Sequence, residues 1–321
     1  MRAAALILAL WAGQATAQVN VTAIAAQRPA KLLSGYGFFD DLAAGSPARG
    51  VVPYHLASAL FSDYAEKDRF IFSPGPARYQ TDEVLAFPVG AAIIKTFRYG
   101  DHKVETRVLL LQEAGWKAYP YVWNQAGSDA ELRLAGADLS LETDHGTLAY
   151  HVPNVNQCKA CHINADKAFV PIGPKVRNLN VGDQLAVLVA AGLLSEAPDD
   201  APALPDYQDT TQDLTLRARA YLDINCAHCH APGHPADTSG LFLNWEEDRP
   251  EHLGLLKRPV AAGRGSGTML YDVVPGDPDA SILLFRMVST DPGLQMPEIG
   301  RSMAHAEGVA LIRDWIASLK P

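Results

Sequence analysis

The sequence predicts a multidomain α+β protein, an antiparallel β-sandwich-like region over residues 18–150 followed by mainly helical segments. Three observations predict it. From Leu32 to Tyr150 short apolar runs alternate with Gly, Asp and Pro, with no long helical period between them. Near Leu214 and again near Val309, apolar residues recur at helical spacing. Between these regions the stretch from Glu196 to Asp206, rich in Pro and Asp, reads as a boundary loop.

The chain opens with Arg2, an apolar run from Ala3 to Trp11, and Ala15-Thr16-Ala17 before Gln18. That order predicts a secretory signal peptide over residues 1–17, cleaved after Ala17, and a periplasmic mature chain. The competing reading is a buried N-terminal helix. No later run reaches the roughly 20 apolar residues that spanning a bilayer needs, so no membrane span is expected. A formal net charge of −9 argues against nucleic acid or an anionic membrane as partner, and leaves a basic protein partner open. About 300 mature residues suffice for two or three compact units.

Within the β-rich region the spacing predicts strands at Val84–Val89, Ala91–Arg98, Val104–Leu111, Trp116–Trp123 and Glu131–Ala135. Trp116, Tyr119, Tyr121 and Trp123 could line a ligand pocket, but aromatics on a strand more often pack a core. No metal-spaced cluster falls here.

The four cysteines of the chain are Cys158, Cys161, Cys226 and Cys229. They form Cys158-Lys-Ala-Cys161-His162 and Cys226-Ala-His-Cys229-His230, both matching covalent attachment of haem c. Two thiols add across the vinyl groups of one haem, and the adjacent imidazole becomes the proximal ligand. Two haem c groups are therefore expected, with Cys158, Cys161, Cys226 and Cys229 binding the cofactors and His162 and His230 ligating iron. A zinc site built from four thiolates would leave both histidines without a role. A thiol-redox pair would need the thioredoxin-like strand and helix, which neither motif has.

The second motif sits in residues 205–321. Leu214, Leu216, Ala218, Tyr221 and Leu222 predict a helix running into Cys226, and Val309, Ile312, Ile316 and Leu319 predict a second one near the end. With this order, the segment from about Asp213 to Leu319 resembles a class I cytochrome c. That resemblance implies a Met-Pro pair as the source of the second axial ligand, and Gln295-Met296-Pro297-Glu298 matches it, making Met296 the expected distal ligand. Its rivals are Met269, Met287 and Met303, none followed by Pro. Met287 falls in a helical run where packing is the simpler role. His/Met ligation implies the higher potential for this haem. The Gly263–Gly267 loop lacks the Lys of a phosphate-binding loop; Arg264 in it is a candidate partner for a propionate.

Around the first motif, residues 151–200, Pro153 denies the approach an unbroken helix. An apolar helix is expected from Gln184 to Leu194. After Met1 the chain has no methionine before Met269, so a local sixth ligand cannot be a thioether. His151 and His145 are nearest, with His55, His102, His305 and Met287 more remote. An open iron position is the other possibility.

Taken whole, the chain resembles a family of proteobacterial periplasmic dihaem c-type cytochromes with a β-rich N-terminal region. The resemblance rests on Tyr36-Gly-Phe-Phe-Asp, Leu60-Phe-Ser-Asp-Tyr-Ala-Glu-Lys, Phe87-Pro-Val-Gly, Pro120-Tyr-Val-Trp-Asn, Val170-Pro-Ile-Gly-Pro-Lys, the stretch Tyr221–His230, and Ala236-Asp-Thr-Ser-Gly-Leu-Phe-Leu. The expected function is electron carriage between a redox protein partner, such as a periplasmic dehydrogenase, and a downstream acceptor. The alternative is a haem enzyme of peroxidase or oxidase type, with an open first iron fed by the second haem. A third reading makes the β-rich region a carbohydrate- or protein-binding unit served by the haems. No catalytic residue is assigned.

Overall fold

The computed structural model describes residues 18–321 except Asp82, Ala261 and Pro321. The expected signal peptide, residues 1–17, lies outside the described residues. The strands are β1 (Phe39–Asp41), β2 (Ser46–Pro47), β3 (Val51–Pro53), β4 (Glu66–Phe72), β5 (Ala92–Tyr99), β6 (His102–Gln112), β7 (Gly115–Trp123), β8 (Ala130–Leu132), β9 (Ala137–Thr143) and β10 (Gly146–Val152). The helices are α1 (Val21–Ala25), α2 (Val155–His162), α3 (Val176–Leu179), α4 (Gln184–Ala190), α5 (Leu214–Asn225), α6 (Ile282–Val288) and α7 (Ala306–Ser318). The chain is thus mixed α+β with one large antiparallel sheet and several helices.

Strands β3 to β8 form a six-stranded sheet in chain order, while β1–β2 and β9–β10 are two-stranded ribbons. This differs from the expected sandwich. The central strands are apolar on both faces, as Ala91-Ala-Ile-Ile and Val108-Leu-Leu-Leu already show, and helices and loops cover them instead of a second full sheet. On one face Phe70, Ala92, Ile94, Val108, Leu110, Tyr119 and Tyr121 share a core with Ile24 of α1 and Leu33, Tyr36 and Phe38. On the other, Ile71, Ile93 and Leu109 pack against Val176, Leu179, Leu185 and Leu188 of α3 and α4. The helix expected over Gln184–Leu194 therefore covers the sheet.

Residues 84–89, expected as a strand, make only isolated bridges, Val84 to Lys175 and Ala86 to Arg78. Pro88 has no N–H to give a ladder. The aromatic residues split by strand alternation. Tyr119, Tyr121 and Trp123 are buried in one core, and Trp116 meets Phe87 edge-on on the other face.

In the C-terminal part α5, N-capped by Asp213, runs directly into the second motif, and α7 packs across it. The crossing is at Gly308, where a Cβ would collide with the ring of Tyr221. Around it Leu222, Leu243, Val273, Leu284, Ile312, Trp315 and Ile316 form one core, with Met287 of α6 inside it. Among the described residues no helix is long and apolar enough to cross a membrane.

Candidate functional site

Helix α2 begins just past Pro153, which stops any helix from arriving earlier. Asn154 caps it, accepting from Asn156 N and Gln157 N at 2.9 Å, while Gln157 Oε1 accepts from Asn154 N at 2.8 Å. One turn of this helix places Cys158 and Cys161 three residues apart on one face and ends at His162. The His162 Nδ1–H donates to Val170 O at 2.7 Å, and the ring stacks on Phe169 at 4.8 Å. Nε2 is thus the bare nitrogen, with no hydrogen bond among the described residues.

The second motif reaches the same state by other means. The Ser239 hydroxyl donates to Ala236 O at 2.7 Å, so its oxygen is the acceptor for His230 Nδ1–H at 3.3 Å. That again leaves Nε2 bare. Burial pulls both His162 and His230 down to about 4, so both imidazoles are neutral near pH 7, the form in which histidine ligates a metal.

The two motifs touch. Cys229 Sγ lies 3.6 Å from Ala160 O, and Lys167 Nζ donates to Gly233 O at 3.1 Å. Gly233 is left-handed, and a Cβ there would sit 2.6 Å from the Cβ of Ala165, so only glycine admits this approach. Cys161 Sγ, Cys229 Sγ and a ring nitrogen of His228 lie within 4.8 Å of one another. The Cys229 thiol, with His228 beside it, holds Cys161 down to about 4, and the same contact pushes Cys229 up. Burial raises the Cys158 thiol and pushes Cys226 up to about 12. All four cysteines are free.

These residues fit covalent haem. Each motif offers two unpaired thiols and one neutral histidine whose bare nitrogen is Nε2. They do not fit a zinc site of four thiolates, because Cys158 and Cys226 stand outside the group that Cys161 and Cys229 form.

Met296 lies in the loop between α6 and α7. Arg301 organises that loop, donating to the carbonyl oxygens of Met296 at 2.9 Å, Ser289 at 2.9 Å, Met303 at 3.0 Å and Arg286 at 3.2 Å. Asp63, from the β3–β4 connection, accepts from Ser302 N at 2.8 Å and Met303 N at 2.9 Å. The β-rich region thereby holds the loop that carries Met296.

The candidate sixth ligands of the first motif are otherwise engaged. His151 is bonded through both ring nitrogens, to Asp138 at 2.6 Å and Gln157 at 3.1 Å. His145 stacks on Tyr64. His305 stacks on Phe61 and meets the Tyr221 hydroxyl at 3.2 Å. His55 and His102 are exposed, and Met287 is in the core. Arg264 is exposed and paired with Asp291 at 3.5 Å.

Two features escape a reading of the motifs alone. His228, an interior residue of the second motif, has a buried Nδ1 with no hydrogen-bond partner. Lys67, Arg69, Lys95 and Arg107 gather on β4, β5 and β6; the visible signal is a lone cation within the apolar runs of β5 and β6, at Lys95 and Arg107. Across β4 to β7, Phe70, Lys103 and Trp123 with Phe39 line a cleft of about 200 Å³, below the ~300 Å³ at which small-molecule pockets begin.

Comparison with known protein families, curated proteins and solved structures finds no match to this chain.

Proposed function

We propose that this chain is an exported dihaem c-type cytochrome that carries electrons between a redox protein partner, such as a periplasmic dehydrogenase, and a downstream acceptor. The observation that carries the reading is the paired state of the motifs: both histidines are half-buried, neutral and bare at Nε2, beside free thiols. Cys158 and Cys161 with His162 hold one haem; Cys226 and Cys229 with His230 hold the other, with Met296 as its distal ligand. Bound haem supplies one-electron redox chemistry at iron. The α5–α7 crossing at Gly308 and the position of Met296 between α6 and α7 support a class I cytochrome c arrangement for residues 205–321. Contact between Cys229 and Ala160 supports electron exchange within the chain, since it seats the two attachment points side by side.

A second reading is favoured by one observation. His151 is bonded at both ring nitrogens and the other candidate ligands pack elsewhere, which supports an open position at the first iron and a peroxidase- or oxidase-type activity. Production with haem-maturation machinery, followed by mass measurement, tests attachment: the mature chain should gain two haem masses, and Cys158→Ala/Cys161→Ala only one. Electron paramagnetic resonance of the ferric protein then separates the readings. Two low-spin signals unaltered by cyanide support carriage alone, and a high-spin signal converted by cyanide supports the enzyme. A chain that gains no haem refutes both.

A further inference from the structure

The sheet carries a charge pattern that the attachment motifs do not use. Arg69, Lys95 and Arg107 are direct cross-strand neighbours on β4, β5 and β6. Lys67 stands one pair further along, opposite Phe97. Like charges directly opposite one another destabilise a sheet. The counter-charges beside them are too few. Glu105 is occupied by Arg107 through both oxygens, at 2.7 and 2.9 Å, and by the Tyr150 hydroxyl at 2.9 Å. Lys67 Nζ donates to Ala65 O and Arg69 Nη1 to Lys67 O, each at 3.1 Å. The Lys95 ammonium has no hydrogen bond or ion pair among the described residues; its contact is the ring of Phe97, 5.0 Å away.

Burial and the neighbouring cations press Lys67 down to about 7 and Lys95 well below its ordinary value. Charges enclosed in this way persist when an anion completes them. The four side chains also stay half-buried rather than packed shut, so they line a recess. Its position is given by geometry: the Tyr150 hydroxyl of β10 bonds Glu105, the partner of Arg107, at 2.9 Å, β10 leads through Val152 into α2, and α2 packs against β7, the neighbour of β6. A haem joined to Cys158 and Cys161 brings two propionate carboxylates on the edge away from its thioether bonds.

We infer that Lys67, Arg69 and Lys95 bind the propionates of the first haem, making β4–β6 a wall of its pocket. The inference rests on the dihaem reading above. It assigns the β-rich region a direct part in holding the cofactor and gives the first haem a positive surround that opposes its oxidation.

The test uses the loaded protein with Lys95→Met and Lys67→Met, and Lys103→Met on the opposite face as control. Mass measurement counts haems, resonance Raman follows the propionate bending modes, and redox titration resolves each haem. Each pocket variant should keep two haems, shift the first haem's propionate mode, and raise its oxidised-to-reduced ratio at fixed potential about tenfold, as loss of one charge at ~8–10 Å implies. The second haem and the control stay unmoved, and Lys95→Arg restores the first. Unchanged first-haem signals in both variants, or equal shifts at both haems, would overturn the inference while leaving two haems attached. Saturable shifts of the first-haem signals on adding inorganic phosphate to the wild type would also overturn it, by showing a free anion in the recess. If Lys95→Met does not accumulate, Lys67→Met and the phosphate titration decide. A wild-type chain without two haem masses refutes the dihaem reading itself.

Discussion

Asp63 ties the β-rich region to the loop that carries Met296, and its removal should be costly in a way that distinguishes two substitutions. The residue is 4% exposed and sits at φ 48°, a left-handed conformation that Asp and Asn tolerate and Ala does not. Its carboxylate satisfies the backbone N–H groups of Ser302 and Met303. Asp63→Ala leaves both donors unmet, at about 1–3 kcal/mol each, and adds about 1–2 kcal/mol for the backbone. The expected loss is about 4 kcal/mol. Asp63→Asn keeps one acceptor oxygen and the backbone preference, so the expected loss is about 1 kcal/mol. Urea unfolding measures both, with the midpoint moving and the slope preserved. Equal losses for the two variants, or less than about 1 kcal/mol for alanine, would refute the account of Asp63 as an acceptor that clamps the 301–303 loop.

Other outcomes follow from single contacts. His305 is buried, and its pKa is lowered from 6.5 to about 4 by desolvation. Its neutral form therefore contributes stability that is fully present above pH 6.5 and lost as pH falls through about 4. The contribution is about 3 kcal/mol, and a His305→Phe variant should show a flatter stability profile over that window in urea titrations. Gly308→Ala drives a methyl into Tyr221 at the α5–α7 crossing; calorimetry should record a loss of about 1–3 kcal/mol, and a neutral result would mean the helices can separate there freely. Arg177, 2% exposed, joins Asp223 at 3.1 Å and Glu246 at 2.5 Å, linking α3 to α5. Arg177→Met should cost about 3–5 kcal/mol by leaving the buried Asp223 carboxylate uncompensated, whereas a loss below about 1 kcal/mol in the same assay would place that carboxylate in water.

By itself, the sequence determined the features that depend on near neighbours along the chain. The Cys-x-x-Cys-His spacing is local, and so are the 3.6-residue patterns behind α5 and α7, the short apolar runs behind β5, β6 and β7, and the stop that Pro153 imposes before α2. Strand β4 escaped because its first half, Glu66-Lys-Asp-Arg, is charged on both faces, one toward solvent and one toward the recess. Tertiary structure alone decided what touches what. Apolar faces are interchangeable in sequence, so nothing in the pattern of β5 and β6 says whether a second sheet or α3 and α4 will cover it. The same holds for charge. Lys67, Arg69, Lys95 and Arg107 come from three strands and read singly as surface residues, and only the antiparallel register sets Arg69, Lys95 and Arg107 in one row with Lys67 one pair further along. His151 and His228 make the point for the motifs: the candidate sixth ligand nearest in sequence to the first motif is tied to Asp138 and Gln157, while a histidine of the second motif lies beside Cys161, because long-range packing of two loops, admitted by Gly233, carries no periodic trace.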